Sequence, residues 1–349
     1  MFRSYAFFIL WLIVCFMACG CQRIQQVIAP EPSEKHEVSD DGKRVVNVGF
    51  YAYFAPVSYS ADSDPASDGF NIHLGYEADL LTALETMAGT GISFARRGIA
   101  EWPGIWLKAA EPEYDLIGGG ITILDSRTQD ATGTQRVTFT SGHIKFRQSL
   151  LVRAEDAERL SEYASLTRDV RVGVLSGTTG EARLLEITGI VDADGVLVEG
   201  TRIETLSGSV VADGTQQYSI TAAGSSPSLA GKQTLYPPTE NMPQVIYLGD
   251  DVGESALFEA LTDGRIDAIA RGEIGNRDAA AATHGAFVVT ALDEQVEYGG
   301  FTLAVEDAAL RASLNAWIDY LTDGGNIGYA EWLADPKVFL KRAQIRGNP

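Results

Sequence analysis

Two stretches of this sequence put hydrogen-bond donors and charge where a small anion could be held. The first is Tyr114-Asp115-Leu116-Ile117-Gly118-Gly119-Gly120-Ile121-Thr122-Ile123-Leu124-Asp125-Ser126-Arg127. Its apolar run enters three glycines, where backbone can approach a guest closely because no Cβ stands in the way. Asp125-Ser126 supply helix-start chemistry just before Arg127. This layout predicts free backbone N–H groups around Gly120, the Thr122 hydroxyl and the Arg127 guanidinium on one side of a loop. An Arg fork matches a carboxylate in two parallel hydrogen bonds. The second stretch is the apolar run Val170–Leu175 turning at Ser176-Gly177-Thr178-Thr179-Gly180-Glu181. A strand, a glycine, two threonines and a helix start make an anion site, because the first helical N–H groups are unpaired and carry partial positive charge. Thr178 and Thr179 fit a plain helix N-cap equally well.

The chain of 349 residues has room for two domains of ordinary size, each with its own core. With 45 % apolar and 21 % charged residues it is a folded globular protein. A net charge of −20 repels nucleic acid and leaves no basic patch for it or for anionic lipid. Cys15, Cys19 and Cys21 all lie in the first 21 residues, so the folded body has neither disulfide nor thiol nucleophile. His36, His73, His143 and His284 are far apart in sequence and show no metal-ligand spacing. No metal, cofactor or catalytic residue is expected.

Residues 1–20 read as an export signal: Arg3 is the positive end, and Ala6 to Ala18 form an apolar run too short to span a membrane comfortably. Ala18-Cys19-Gly20-Cys21 resembles a lipobox, which implies cleavage before Cys21 and a lipid-modified N-terminus. A single acyl chain binds membranes only marginally, so stable anchoring requires several on Cys21. Residues 21–43, with Pro30, Pro32, Ser33 and Ser39, read as a flexible tether.

The elements that must position the two stretches follow in order. Val45–Gly49 has strand length, and Tyr51, Tyr53 and Phe54 follow before Pro56 stops regular structure. Leu80, Leu84 and Met87 recur at helical spacing, and Trp102, Ile105, Leu107 and Ala110 predict a second helix. Ser149–Val152 is expected to cross between domains, and Tyr298–Val305 to return. From Gly189 to about Tyr236 the composition shifts to Gly, Ser, Thr, Asp and Val with short β-type runs. Leu310, Leu314, Trp317 and Leu321 predict a closing helix, stopped at Asp323-Gly324-Gly325.

Several motifs, in this order, resemble the family 3 extracellular solute-binding proteins, the receptors of polar amino acid ABC importers. They are Gly75-Tyr76-Glu77-Ala78-Asp79-Leu80, the glycine loop with Arg127 five residues after Thr122, Gly177-Thr178-Thr179-Gly180-Glu181, and Ala256–Ala270. The resemblance covers roughly residues 44–188 and 245–345. It implies an α/β, two-lobed periplasmic-binding-protein-like fold of type II with two hinge crossings. Residues 44–152 and 299–349 would form lobe 1, and 153–298 lobe 2, with a β-rich insertion at about 189–236. It implies that Arg127 grips the ligand's α-carboxylate, that Thr178 and Thr179 hold the carboxylate's far side, and that Phe54 forms a pocket wall. The chain departs from the pattern where the family's ammonium-accepting Asp falls on Gly272, flanked by Arg271 and Glu273. Either Glu273 replaces that Asp through a local bulge, or the ligand lacks an ammonium and Arg271 meets a second acidic group. Tyr51 stands where binders of cationic amino acids often carry Asp, which disfavours a Lys, Arg or His cargo.

The function so implied is a lipoprotein on the periplasmic side of a bacterial envelope. It would act as a monomer, capturing a small carboxylate-bearing solute, an amino acid or related organic acid, for a membrane permease. Two alternatives remain: a periplasmic enzyme like the cyclohexadienyl dehydratases, with Glu273 as general acid, and a ligand-sensing module for a membrane partner.

Overall fold

The computed structural model describes residues 38–249 and 253–346. The export signal, Cys21 and the tether up to residue 37 lie outside the described residues. The helices are α1 (Tyr76–Thr86), α2 (Thr179–Ile187), α3 (Glu254–Thr262), α4 (Glu273–Ala282), α5 (Ala308–Leu321), α6 (Tyr329–Ala334) and α7 (Val338–Arg346).

The first lobe is built on a five-stranded sheet in the order Ile92–Ile99, Arg44–Tyr51, Leu116–Gly118, Thr302–Ala304, Val137–Phe139. The first three run parallel, and Thr302–Ala304 is antiparallel to both its neighbours. Side chains alternate across a strand. Val46 and Val48 accordingly enter a core with Leu80, Leu84, Leu310, Leu314 and Ile318, while Tyr51 enters a second one with Ile105, Trp106 and Ile117. In α5 the fully buried position after Leu314 is Ile318 rather than Trp317, which packs only at the core's edge. The segment expected as a second helix forms a 3-10 helix, Ile105–Ala110. Pro103 keeps the residue before it out of helical conformation, and Gly104, at φ 77°, makes the turn into the short helix.

The two crossings run side by side, Ile144–Phe146 pairing antiparallel with Glu297–Gly299. Ser149–Val152 lies inside a strand of the second sheet, Gln148–Arg153, between Ala268–Gly272 and Phe287–Leu292. Its apolar run is buried on both faces, Leu150 and Val152 in one core and Leu151 in another.

The second sheet has eight strands. Arg171–Val174 lies parallel to Gln244–Tyr247 and Ala268–Gly272. Beyond Gln244–Tyr247 the segment expected as an insertion adds Lys232–Tyr236, Arg202–Thr205 and Gly208–Val211, all antiparallel. The same segment makes a small hairpin, Ile220–Thr221 against Gly224–Ser225.

Candidate functional site between the lobes

The lobes meet over a cavity of about 60 Å³. Tyr51, Phe54 and Trp102 of the first lobe face Gln148, Thr178, Thr179, Glu254 and Arg271 of the second. Ligand pockets commonly run to roughly 300–1,000 Å³, so any solute larger than a few atoms requires the lobes to part. An outer groove of about 580 Å³ continues from it, between Tyr53 and Ala55 on one side and α3 and α4 on the other. Arg271 and Glu254 border both spaces, so their ion pair is the partition between them.

Arg271 is the last residue but one of the strand Ala268–Gly272, and Glu254 stands in the first turn of α3. The guanidinium lies 4.9 Å from the Phe258 ring centroid. A Cβ at residue 275 would overlap the guanidinium, so α4 carries glycine there. Burial pushes the Glu254 carboxyl up, and Arg271 pulls it down. Burial, then Glu254, pushes the Tyr51 phenol up. Asp278, on the outer groove, is raised by burial against the pull of Arg271. Glu254 is the charged cavity-lining residue that the sequence did not single out. An acidic residue in a helix's first turn ordinarily complements the helix dipole, and nothing local marks it as the partner of Arg271.

Arg127 is wholly buried and does not border the cavity. Its Nε and Nη2 donate to the Ala222 carbonyl at 3.0 and 2.9 Å, Nη2 also to the Gly177 carbonyl at 3.1 Å, and Nη1 to the Thr122 carbonyl at 3.4 Å. The guanidinium lies 4.4 Å from the Trp106 ring centroid. Burial pulls its pKa down to about 9 while Glu297 pulls it up, so it remains a cation at neutral pH.

Thr122 and Thr179 meet across the lobes at 3.3 Å. The Thr122 hydroxyl donates to Glu297 Oε2 at 3.1 Å, and Gln148 Nε2 donates to Thr179 Oγ1 at 2.9 Å and to Glu297 at 3.1 Å. Each hydroxyl has one proton, so the Thr179 hydroxyl donates to Thr122.

The glycine loop differs from the sequence expectation. The Gly119 and Gly120 N–H groups donate to the two oxygens of Glu77 at 2.7 and 2.9 Å, and His143 Nε2 lies 3.0 Å from the same carboxylate. Glu77 is fully buried in the first turn of α1, and a buried carboxylate must be met by donors. Gly120 sits at φ 67°, and a Cβ on it would come within 2.6 Å of the Phe54 ring. Glycine there lets Phe54 close the cavity wall.

Thr178 is both the N-cap of α2, accepting from the Glu181 N–H at 3.1 Å, and part of the cavity wall. Glu181 accepts from the Gly177 N–H at 2.6 Å and lies 3.6 Å from Lys232, whose ammonium also donates to Ser176 and Ser225 at 2.7 and 2.8 Å. Glu273 does not border the cavity and pairs with Arg277 one turn along α4 at 3.1 Å. It opens α4, after the strand has already ended at Gly272. The structure thus brings Phe54, Thr178, Thr179 and Arg271 to one cavity. Gly120 and Thr122 stand behind its wall, Arg127 is deeper, and Glu273 is outside.

Among the described residues no group of His, Cys, Asp and Glu side chains is arranged to hold a metal ion, and no helix is long and apolar enough to cross a membrane.

No protein-family model and no curated protein matches the chain. Solved structures do. Holo ArgBP from T. maritima is 17 % identical, with 83 % of this chain and 96 % of that one covered at a TM-score of 0.52. The amino acid ABC transporter substrate-binding protein AbpA from Streptococcus pneumoniae, bound to L-arginine, is 15 % identical over 86 % and 95 % at 0.53. The ancestral amino acid-binding protein AncCDT-1, a precursor of cyclohexadienyl dehydratase, is 19 % identical over 85 % and 94 % at 0.52. The chain therefore has the two-lobed α/β fold of these substrate-binding proteins, as the motif order implied.

Proposed function

We propose that this chain is an extracytoplasmic solute-binding protein that closes its lobes on a small carboxylate-bearing solute, an amino acid or related organic acid, for the permease of an ABC importer. The observation that carries this reading is the cavity walled by both lobes, with Arg271 and Glu254 as its cation and its carboxylate. A solute carboxylate takes Arg271, with the N-terminus of α2 at Thr178 and Thr179 beside it. An ammonium takes Glu254 and the Gln148 Oε1, a buried acceptor with no hydrogen-bond partner. A zwitterion exchanges both partners of the ion pair at once, so neither buried charge is left alone. Tyr51, Phe54 and Trp102 enclose the apolar part. Ligand bridging two lobes favours the closed form by its differential affinity for that form. Monomeric action and a lipid on Cys21, outside the described residues, complete the proposal.

The test is a thermal-shift screen of amino acids, keto acids and dicarboxylates, since a ligand that binds only the folded state raises its Tm. A panel in which nothing raises Tm counts against the reading.

A dehydratase-like reading has one observation in its favour: the Glu254 carboxyl is raised by burial at the cavity wall, as a general acid's must be. Incubation with cyclohexadienyl acids such as prephenate, following their loss, decides between the two.

A further inference from the structure

The insertion holds its hairpin tip against the first lobe. Ala222, between Thr221 and Gly224 of the hairpin, places its carbonyl under the fork of Arg127, which meets it with two donors. Beside it Ala223 packs on the first-lobe cluster that contains Trp106 and Trp102. The Gly177 carbonyl of the second lobe accepts from Arg127 and also from the Trp102 indole N–H, at 3.0 Å. The hairpin's other end is pinned by Lys232, whose ammonium joins Ser225 to Ser176 beside the Gly177 turn. A forked cation on one carbonyl, with the guanidinium fully buried and Ala222 nearly so, is a strong contact because little solvent competes for either partner. Every partner belongs to this chain.

We infer that the hairpin 220–225 is a strap that latches the two lobes together through Arg127, giving the chain a closed form that requires no solute. The guanidinium is spent on that latch and the cation facing the cavity is Arg271, so clamping and solute contact are divided between two arginines. Arg127 acts here as a positioning residue. The inference concerns the solute-free chain and stands apart from which solute the cleft takes.

Spin labels on Glu101 and Ala230 test it. Both are exposed, and Ala230 borders, with Pro103, a cavity of about 270 Å³ between the lobes at the hairpin. The full chain, with Cys15, Cys19 and Cys21 changed to Ser, is unfolded and refolded to strip bound solute, and inter-label distances are measured. The parent should give one short, narrow distance. Arg127→Ala should move at least half of the molecules to longer distances, and Arg127→Lys fewer, because a point charge cannot reproduce the fork. Replacing 221–224 by Asn-Gly should lengthen the distance with Arg127 intact, which covers an Arg127→Ala chain that does not fold. A solute-free parent already at long distances overturns the latch. So does a short distance retained in the folded variants.

Discussion

Arg127 and Arg271 are the two buried arginines of the cleft, and they are paired in opposite ways. Arg127 meets backbone carbonyls and the rings of Trp102 and Trp106, has no carboxylate within ion-pair distance among the described residues, and is sealed from the cavity. Arg271 meets a carboxylate and borders two open spaces. A carbonyl fixed in the main chain cannot swing away, whereas a Glu side chain can rotate to let a guest in. The first arrangement suits a structural joint and the second an exchangeable contact. Charge alone does not distinguish them; the mobility of the partner does.

The largest expected effect lies on the joint. Arg127→Ala strands the Ala222 carbonyl and leaves the Gly177 carbonyl with the Trp102 indole alone, and bonds to charged groups contribute roughly 1.5–3 kcal/mol each with a further cost for an acceptor left unpaired. Unfolding in urea should show a loss of about 3 kcal/mol or more, with Arg127→Lys losing roughly half of that. Arg271→Ala should be milder for the fold, about 1–2 kcal/mol, since Glu254 can take up a proton in place of its partner. Its affinity for whichever solute the screen finds should fall at least tenfold, or about 1.4 kcal/mol, by calorimetry. A chain that loses binding through Arg127→Ala at unchanged stability, while Arg271→Ala unfolds it, would exchange the two roles.

The next effect sharpens the contrast through pH. The folded Glu254 carboxyl sits above its unfolded value because of burial. Between those two values the folded chain binds more protons than the unfolded one, so stability falls as pH rises through that interval. Removing Arg271 takes away the pull that opposes the rise and widens the interval. Arg271→Ala should therefore be nearer to the parent at about pH 5 than at about pH 8. Adding Glu254→Gln should erase that difference in thermal melts. Arg127→Ala should show no such Glu254-dependent slope.

The smallest effect belongs to the charge beside Arg271 in sequence. Glu273→Gln breaks an i,i+4 pair whose Arg277 is largely exposed and should change stability by less than about 0.5 kcal/mol, with solute affinity unaltered. A large loss of affinity would place Glu273 in the cleft after all.

Motif order carried the two-lobed fold, and strand-turn-helix chemistry put Thr178 and Thr179 on the cavity, because those features are written in neighbouring side chains. The pairings were not legible. Arg127 finds the carbonyl of Ala222, 95 residues away, and a carbonyl leaves no mark in a sequence. The glycine N–H groups find Glu77, 42 and 43 residues earlier, in a helix turn where an acid has its own local reason to be. Glu254 is a helix and a turn away from Arg271 and reads like any first-turn glutamate. What a side chain can do was readable; which backbone or distant acid it would meet was set by how the lobes and the insertion pack.

The sheet of the first lobe has a consequence for how the chain is made. Thr302–Ala304 is an interior strand, lying between Leu116–Gly118 and Val137–Phe139. During synthesis the two flanking strands emerge first and then wait, each with an unpaired edge, while the whole second lobe is added. The lobe that begins first is therefore finished last. Folding depends on contacts far apart in the chain, which makes it slow and leaves sticky edges exposed meanwhile. A chain cut between residues 139 and 302 would keep both edges open, and it should aggregate even with its own first sheet strands, Arg44–Tyr51 and Ile92–Ile99, fully paired.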